Sequence, residues 1–365
     1  MDFDPAGLIR PHILNMPAYQ PILPVEVVAR QRGLPEDQII KLDGNENPYG
    51  PLPQVLQVLA HLSDAHLYPD PESRELRKAL ANYHRIPAEH LLVGAGADEL
   101  IDLLMRLVLE PGESLIDCPP TFGMYEFDGH LNRAQVISVP RSADFSIQIG
   151  PIEREVQTRR PKLLFLAHPN NPDGSLLDPG VVERLLVLPL IVVLDEAYIE
   201  FAQPGSSYLS QVPQRSNLAV LRTFSKWAGL AGLRLGYGAF PLRLVDHLWK
   251  IKQPYNVSVA ASRAACVSLQ FAPQLDRIRQ EIVLERERLY RALQAIPWLQ
   301  PYPSQSNFIL CRVIGRDAAW LKDELARAGI LVRYFNKPGL RDHIRISIGR
   351  PEHTQALLKQ LSTLE

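Results

Sequence analysis

Seven short runs of mostly apolar, often β-branched residues lie along the first two thirds of the chain, and most are apolar at consecutive positions rather than at every second one. They are LLVGAG (91–96), SLIDCP (114–119), QVISVP (135–140), KLLFLAHP (162–169), LIVVLDEAY (190–198), LAVLRTFS (218–225) and LRLGYGAF (233–240). A strand that reads apolar on both faces is covered on both, which is the pattern of a parallel sheet sandwiched by helices. Helical spacing appears between the runs, most clearly in ADELIDLLMRLVL, and again in a long charged helix with an apolar stripe over about 274–293. Beyond it NFILCRV, ILVRYF and HIRISIG, with a helix between the first two, predict a compact α+β unit. The expected fold is α/β: a large domain with a mostly parallel seven-stranded sheet between helices, plus a smaller α+β domain. Residues 1–45 are expected to form an N-terminal arm and part of the small domain, 46–270 the large domain and 271–365 the rest of the small one. The proline-bearing arm reads as extended rather than helical.

Composition removes several classes of function. The chain has 365 residues, 46% hydrophobic and 22% charged, with a net charge of −1. That balance gives no reason to expect nucleic acid or an anionic membrane as partner. Cys118, Cys266 and Cys311 stand far apart, a spacing that suits neither a disulfide framework nor a zinc site, so no metal is expected and a reducing cytoplasm is. The opening MDFDPAGLIRPHIL carries two acids and prolines, so no signal peptide is expected there. LLVLPLIVVL is short, contains Pro189 and cannot span a bilayer.

The polar residues at the ends of the apolar runs carry the candidate chemistry, since ligands of open α/β sheets bind beyond the carboxyl ends of the strands. In GAGADE, the amides of Gly96, Ala97 and Asp98 open a helix and suit a phosphate, although the same string alone also suits a tight turn. The pattern is GxGxxE rather than GxGxxG, so a dinucleotide fingerprint is not read here. Asp195 ends a wholly apolar strand, where an acid is costly unless it caps a turn or meets a cation or donors. One such partner is a heterocyclic nitrogen kept protonated by the carboxylate. PNNPDG is a turn by composition and the most distinctive local string in the chain. In RTFSKWAGLAGLRLGY, Lys226 sits among small and apolar residues, with Arg234 eight positions on. A lysine in such company is either a surface residue of a short helix or an amine put to use.

Taken together, GAGADE, PNNPDG, DEAYIEF and SKWAGLAGLRLGY resemble, in order and spacing, the fold-type-I pyridoxal-phosphate aminotransferases, and the resemblance spans nearly the whole chain. It implies pyridoxal 5′-phosphate as cofactor. It gives Lys226 the role of the amine that links to the cofactor and then carries the proton between substrate and cofactor carbons. Asp195 would pair with the ring nitrogen, and Tyr198 and Asn171 with the phenolic oxygen. Gly96, Ala97, Asp98, Ser225 and Arg234 would hold the phosphate. Phe122 stands where many relatives carry a ring-stacking tyrosine, and Arg345 matches the arginine that binds a substrate anion. Asp173 stands where threonine is common, a change for which the sequence offers no physical account.

The arm NMPAYQP, LDGNENPYG and HLYPDPES narrow the resemblance to the histidinol-phosphate group of that family. It implies that Tyr19 reaches the substrate pocket, that Asn45 lines it, and that Tyr68 touches the cofactor phosphate of a partner subunit. A homodimer with shared active sites follows. With Arg333 beside Arg345, one cationic pocket would serve histidinol phosphate and glutamate or 2-oxoglutarate in a ping-pong cycle of histidine biosynthesis. An aromatic amino acid aminotransferase and a threonine-phosphate decarboxylase share this residue set. A cofactor-binding regulator on the same fold is disfavoured, because no basic patch for DNA is visible.

Overall fold

The runs that are apolar at every position become inner strands buried on both sides. A computed structural model describes residues 4–18 and 21–364, and among these twelve strands form two sheets. β1 (Ile40–Leu42) comes first in the chain. β2 (Leu91–Gly94), β3 (Ser114–Asp117), β4 (Gln135–Ser138), β5 (Leu163–Ala167), β6 (Ile191–Asp195), β7 (Leu218–Thr223) and β8 (Gly236–Ala239) then build the large sheet. Its order is β2-β8-β7-β6-β5-β3-β4. The pairings from β4 through β7 are parallel, and β8 runs antiparallel to both its neighbours. Each strand stops short of the last residues of its apolar run, which turn instead into the loops that carry the polar groups.

Side chains divide by strand parity. Along β5, Leu164 and Leu166 enter one core while Leu163 and Phe165 enter another. β6 and β7 split the same way, with Val192, Leu194, Leu218 and Val220 on one side and Val193, Ala219 and Leu221 on the other. Burial of each such side chain is worth about 1.5–3 kcal/mol, which fixes the register of the central strands. The helix Ala97–Val108 covers the second core with Leu100, Ile101 and Leu104.

β9 (Leu299–Pro301), β10 (Phe308–Val313), β11 (Ile330–Tyr334) and β12 (His343–Ser347) follow the long helix Ala272–Gln294, and the helix Ala318–Arg327 joins β10 to β11. The small sheet has the order β1-β11-β12-β10-β9. β1 and β9 have three residues each, too few to show a period in the sequence. β1 is recruited by parallel pairing to β11, Ile40 opposite Ile330, and this brings residues 43–45 to the large sheet's carboxyl end.

The arm departs from the extended expectation. It holds a 3₁₀ turn (Pro5–Leu8) and two helices (Pro11–Leu14 and Val25–Arg32). Pro5 and Pro11 open their turns, where a missing N–H is no loss, and Pro24 precedes the third. Among the described residues no helix is long and apolar enough to cross a membrane.

Candidate active site

At the carboxyl end of β6, Asp195 is buried and accepts hydrogen bonds on both oxygens. Tyr125 Oη donates to Oδ2 at 2.7 Å and the Ala197 amide to Oδ1 at 3.1 Å. Burial raises its pKa to about 6, against the pull of those two donors. The end of β6 therefore holds a buried carboxylate poised to gain from a cation.

Lys226 follows β7 on the loop that returns to β8. Its Nζ lies 3.2 Å from the Gly44 carbonyl oxygen and 5.8 Å from the Tyr198 ring centre. Its pKa is lowered to about 8, first by burial and then by the nearby Arg345 and Arg234. The sequence contrast that marked this lysine thus has a physical result: an amine with a substantial neutral fraction near neutral pH.

Beside it lies a polar cup. The helix Ala97–Val108 starts at Gly96, whose φ of +89° only glycine adopts readily. Arg234 Nη2 bonds Asp98 Oδ2 at 2.9 Å, and its Nη1 lies 3.4 Å from Ser225 Oγ, which accepts from Thr223 Oγ1 at 2.9 Å. Underneath, Gly236 lets the backbone of β8 pass close to the helix start: a Cβ there would lie 2.4 Å from the Ala97 nitrogen. Glu99 ties the loop down, its Oε2 accepting from the Ala95 amide and from Asn256 Nδ2, both at 2.6 Å. The GxGxxE pattern thus has a structural reason.

The loop after β1 closes the other side. Asn45 adopts φ 53°, donates through Nδ2 to Tyr198 Oη at 3.1 Å, and exchanges bonds with Ser347, backbone amide to Oγ and Oγ to Oδ1, both at 2.9 Å. Arg345, on β12, donates to Asn171 Oδ1 at 2.7 Å and to the Asp43 carbonyl at 2.8 Å. With its oxygen so engaged, Asn171 presents its amide N–H₂ on the other side. Arg333 stands opposite Arg345 in the β11–β12 register, and both guanidinium carbons lie 5.6 Å from the Phe335 ring centre. Two guanidinium groups, one buried and one half-buried, thus lie close to one aromatic ring.

A buried carboxylate, a softened lysine, a helix-start cup and a pair of arginines are thus gathered at the ends of these strands, and known proteins have related sequences. The aminotransferase class I and II family profile matches residues 37–362. A chloroplastic histidinol-phosphate aminotransferase of Nicotiana plumbaginifolia is 52% identical over 97% of this chain and 86% of its own length. The histidinol-phosphate aminotransferase of Roseiflexus castenholzii is 52% identical, covering 97% of both chains. The chain belongs to the class I and II aminotransferases. In structure it is similar to histidinol-phosphate aminotransferase from Sinorhizobium meliloti in complex with pyridoxal-5′-phosphate, with a TM-score of 0.88, 27% identity and 98% of each chain covered.

Within this aminotransferase the residues singled out in the sequence fall into place unevenly. Tyr198 meets both Asn45 and Lys226, Arg345 holds Asn171, and Arg234 links Asp98 with Ser225. Phe122 meets Tyr125, the partner of Asp195, edge to face with ring centres 5.6 Å apart. Tyr68 stands apart: it is 82% exposed and stacks on Tyr255 at 4.7 Å. Tyr19 lies outside the described residues. Asp173 now has an account, since its buried carboxylate accepts from Asn170 Nδ2 and, at 2.9 Å, from the Ser175 amide, pinning the PNNPDG turn from within. Sequence reasoning missed Tyr125 as a partner of Asp195. Its only signal was a tyrosine three residues after Phe122, one helical turn on, which reads as ordinary core.

Proposed function

We propose that the chain is a histidinol-phosphate aminotransferase that exchanges the amino group of L-histidinol phosphate with 2-oxoglutarate, using pyridoxal phosphate held by the residues above. Its place in histidine biosynthesis belongs to the same reading. The observation that carries it is the joint identity of 52% over nearly the whole chain with two enzymes of that name, together with a pocket built from two arginines. An aromatic amino acid aminotransferase or a threonine-phosphate decarboxylase would share the cofactor residues, but this level of identity favours neither. The division into residues 1–45, 46–270 and 271–365 is part of the proposal.

The residues fit the cofactor on structural grounds. Gly96 and Gly236 leave the helix start open where side chains would crowd it, and Asp195 is a buried acid with no cation bonded to it among the described residues. When bound, pyridoxal phosphate supplies an electron sink for the pair left at the substrate carbon. Ala97, Asp98, Ser225 and Arg234 hold its phosphate, Asp195 its ring nitrogen, and Tyr198 and Asn171 its phenolic oxygen. Phe122 supports the ring. Lys226 Nζ, neutral in a useful fraction of molecules, would take the proton from the substrate Cα and pass it to the cofactor carbon that receives the amino group. Arg345 and Arg333 hold the anion of either substrate, phosphate or carboxylate, by forked bonds. Tyr19 from the arm and Tyr68 from a partner subunit complete the pocket in a homodimer. The three cysteines are free, two of them buried, as suits a reducing cytoplasm.

A single-turnover titration tests the reading. L-Histidinol phosphate is expected to discharge the cofactor's visible band far more efficiently than phenylalanine or tyrosine, and 2-oxoglutarate to restore it. Faster reaction with the aromatic amino acids would overturn the substrate, and release of carbon dioxide from threonine phosphate the reaction class.

A further inference from the structure

Among the described residues, Tyr125 is the one side chain hydrogen-bonded to Asp195, and the sequence alone did not single it out. Tyr125 lies on the helix Met124–Leu131 and is fully buried, its ring stacked on Phe165 at 5.2 Å and its edge against Phe122 at 5.6 Å. Those contacts would serve a phenylalanine equally well. The hydroxyl adds one bond, 2.7 Å to Asp195 Oδ2, while the Ala197 amide takes Oδ1 at 3.1 Å. With the amide alone, the carboxylate could turn about Cβ–Cγ. With both donors its plane is fixed, since one anchor lies on each oxygen.

We propose that Tyr125 is a positioning residue: by donating to Oδ2 it fixes the plane of the Asp195 carboxylate and favours its ionised form, so that Asp195 meets the cofactor's ring nitrogen as an anion.

The choice of a phenol has consequences. Burial, and then the negative charge of Asp195, hold the Tyr125 hydroxyl well above its ordinary pKa, so it remains a donor at every working pH. Asp98 and Glu196 oppose it, since their negative charges favour protonation of Asp195. Tyr198 also faces Asp195, and Asp117 faces Tyr125, but both tyrosines stay neutral. Tyr125 and the Ala197 amide are therefore what keeps Asp195 from titrating as an isolated buried acid. The inference rests on the assignment of Asp195 to the ring nitrogen.

Tyr125→Phe, which keeps the ring, tests it in the holoenzyme, alone and combined with Asp195→Asn. A bond to a carboxylate of this kind predicts about a tenfold loss in kcat with the amino-donor KM within about twofold, and about tenfold weaker binding of pyridoxal phosphate to the apoprotein. The acid limb of the kcat profile should move up by about one pH unit, because the carboxyl has lost a bond that favours its ion. In the Asp195→Asn background the same substitution should change kcat and cofactor affinity by less than about twofold. Equal losses in both backgrounds, or an unshifted acid limb with unchanged cofactor affinity, would overturn the inference while leaving Asp195 in its role. Asp195→Asn with wild-type kcat would overturn the reading of the site, and this inference with it.

Discussion

Arg345 Nη1 donates across 2.7 Å to Asn171 Oδ1, joining β12 of the small sheet to the loop after β5 of the large one. The same guanidinium donates to the Asp43 carbonyl at 2.8 Å, so one side chain fixes three segments far apart in sequence. Both acceptors are neutral oxygens, and between them they fix the direction of the guanidinium fork.

Arg345→Ala should therefore raise KM for both histidinol phosphate and glutamate by about 100-fold, the loss of a charge-assisted forked contact in a buried setting. Arg345→Lys should recover little, because a point charge cannot hold Asn171 and Asp43 together. Steady-state kinetics with each substrate decides it. A rise for one substrate only would mean that the two anions use separate sites.

Gly236→Ala tests the cup without removing any polar group. The new Cβ would sit 2.4 Å from the Ala97 nitrogen, against backbone that cannot swing aside like a flexible side chain. The helix start must shift, and its amides no longer converge on one phosphate. Cofactor affinity, read by fluorescence titration of the apoprotein, should fall by about tenfold or more, as expected for one or two misaligned hydrogen bonds to a charged group. Wild-type affinity would mean that the phosphate is held elsewhere.

The pKa of Lys226, lowered to about 8, predicts where its chemistry begins. Below that pH the amine is protonated and cannot attack; above it the neutral form dominates. Covalent capture of pyridoxal phosphate at Lys226 by the apoprotein, trapped with borohydride and read by peptide mass, should reach half its maximal rate near pH 8. Arg345→Ala should move this midpoint up, since a cation that disfavours the ammonium is gone. The stability consequence has a definite sign. Because the folded-state pKa lies below the ordinary one, the charged amine costs the fold something at neutral pH and nothing once both states are neutral. Lys226→Met should thus raise the apoprotein's Tm by a few degrees at pH 7, with the gain fading above about pH 10.

Legibility followed length and charge. The large sheet's strands were readable because burial on both faces forces continuous apolarity, as in β5 and β7. β1 was not, since three residues carry no period and its place comes from pairing with β11. The arm misled because proline marks the start of a short helix as well as an extended chain. Lys226, Asp195 and Arg345 stood out as charges where the pattern demanded apolar residues. Tyr125 and Glu99 did not, because a tyrosine among apolar residues and a glutamate in a helix's first turn are unremarkable until their partners appear. Asp173 showed the converse: a departure without a reason in sequence acquires one from two donors in its own turn.

The exposure of Tyr68 leads to the last prediction. A tyrosine 82% open to solvent, stacked on Tyr255, which is itself 46% exposed, leaves much aromatic surface uncovered by its own chain. If a second copy covers it and uses the hydroxyl, each active site combines Lys226 from one subunit with Tyr68 from the other. Tyr68→Ala and Lys226→Ala homodimers should then both be impaired, because every site lacks one part. In the mixed dimer one site loses both residues and the other keeps both. Co-refolding the two variants in equal amounts should therefore restore activity to about a quarter of the wild-type value, since half the dimers are mixed and half of their sites intact. If Tyr68 served its own subunit, the mixed dimer would hold no intact site and mixing would restore nothing. Sedimentation of the same samples separates that outcome from a failure to associate, because a monomeric protein would rule out sharing of any kind.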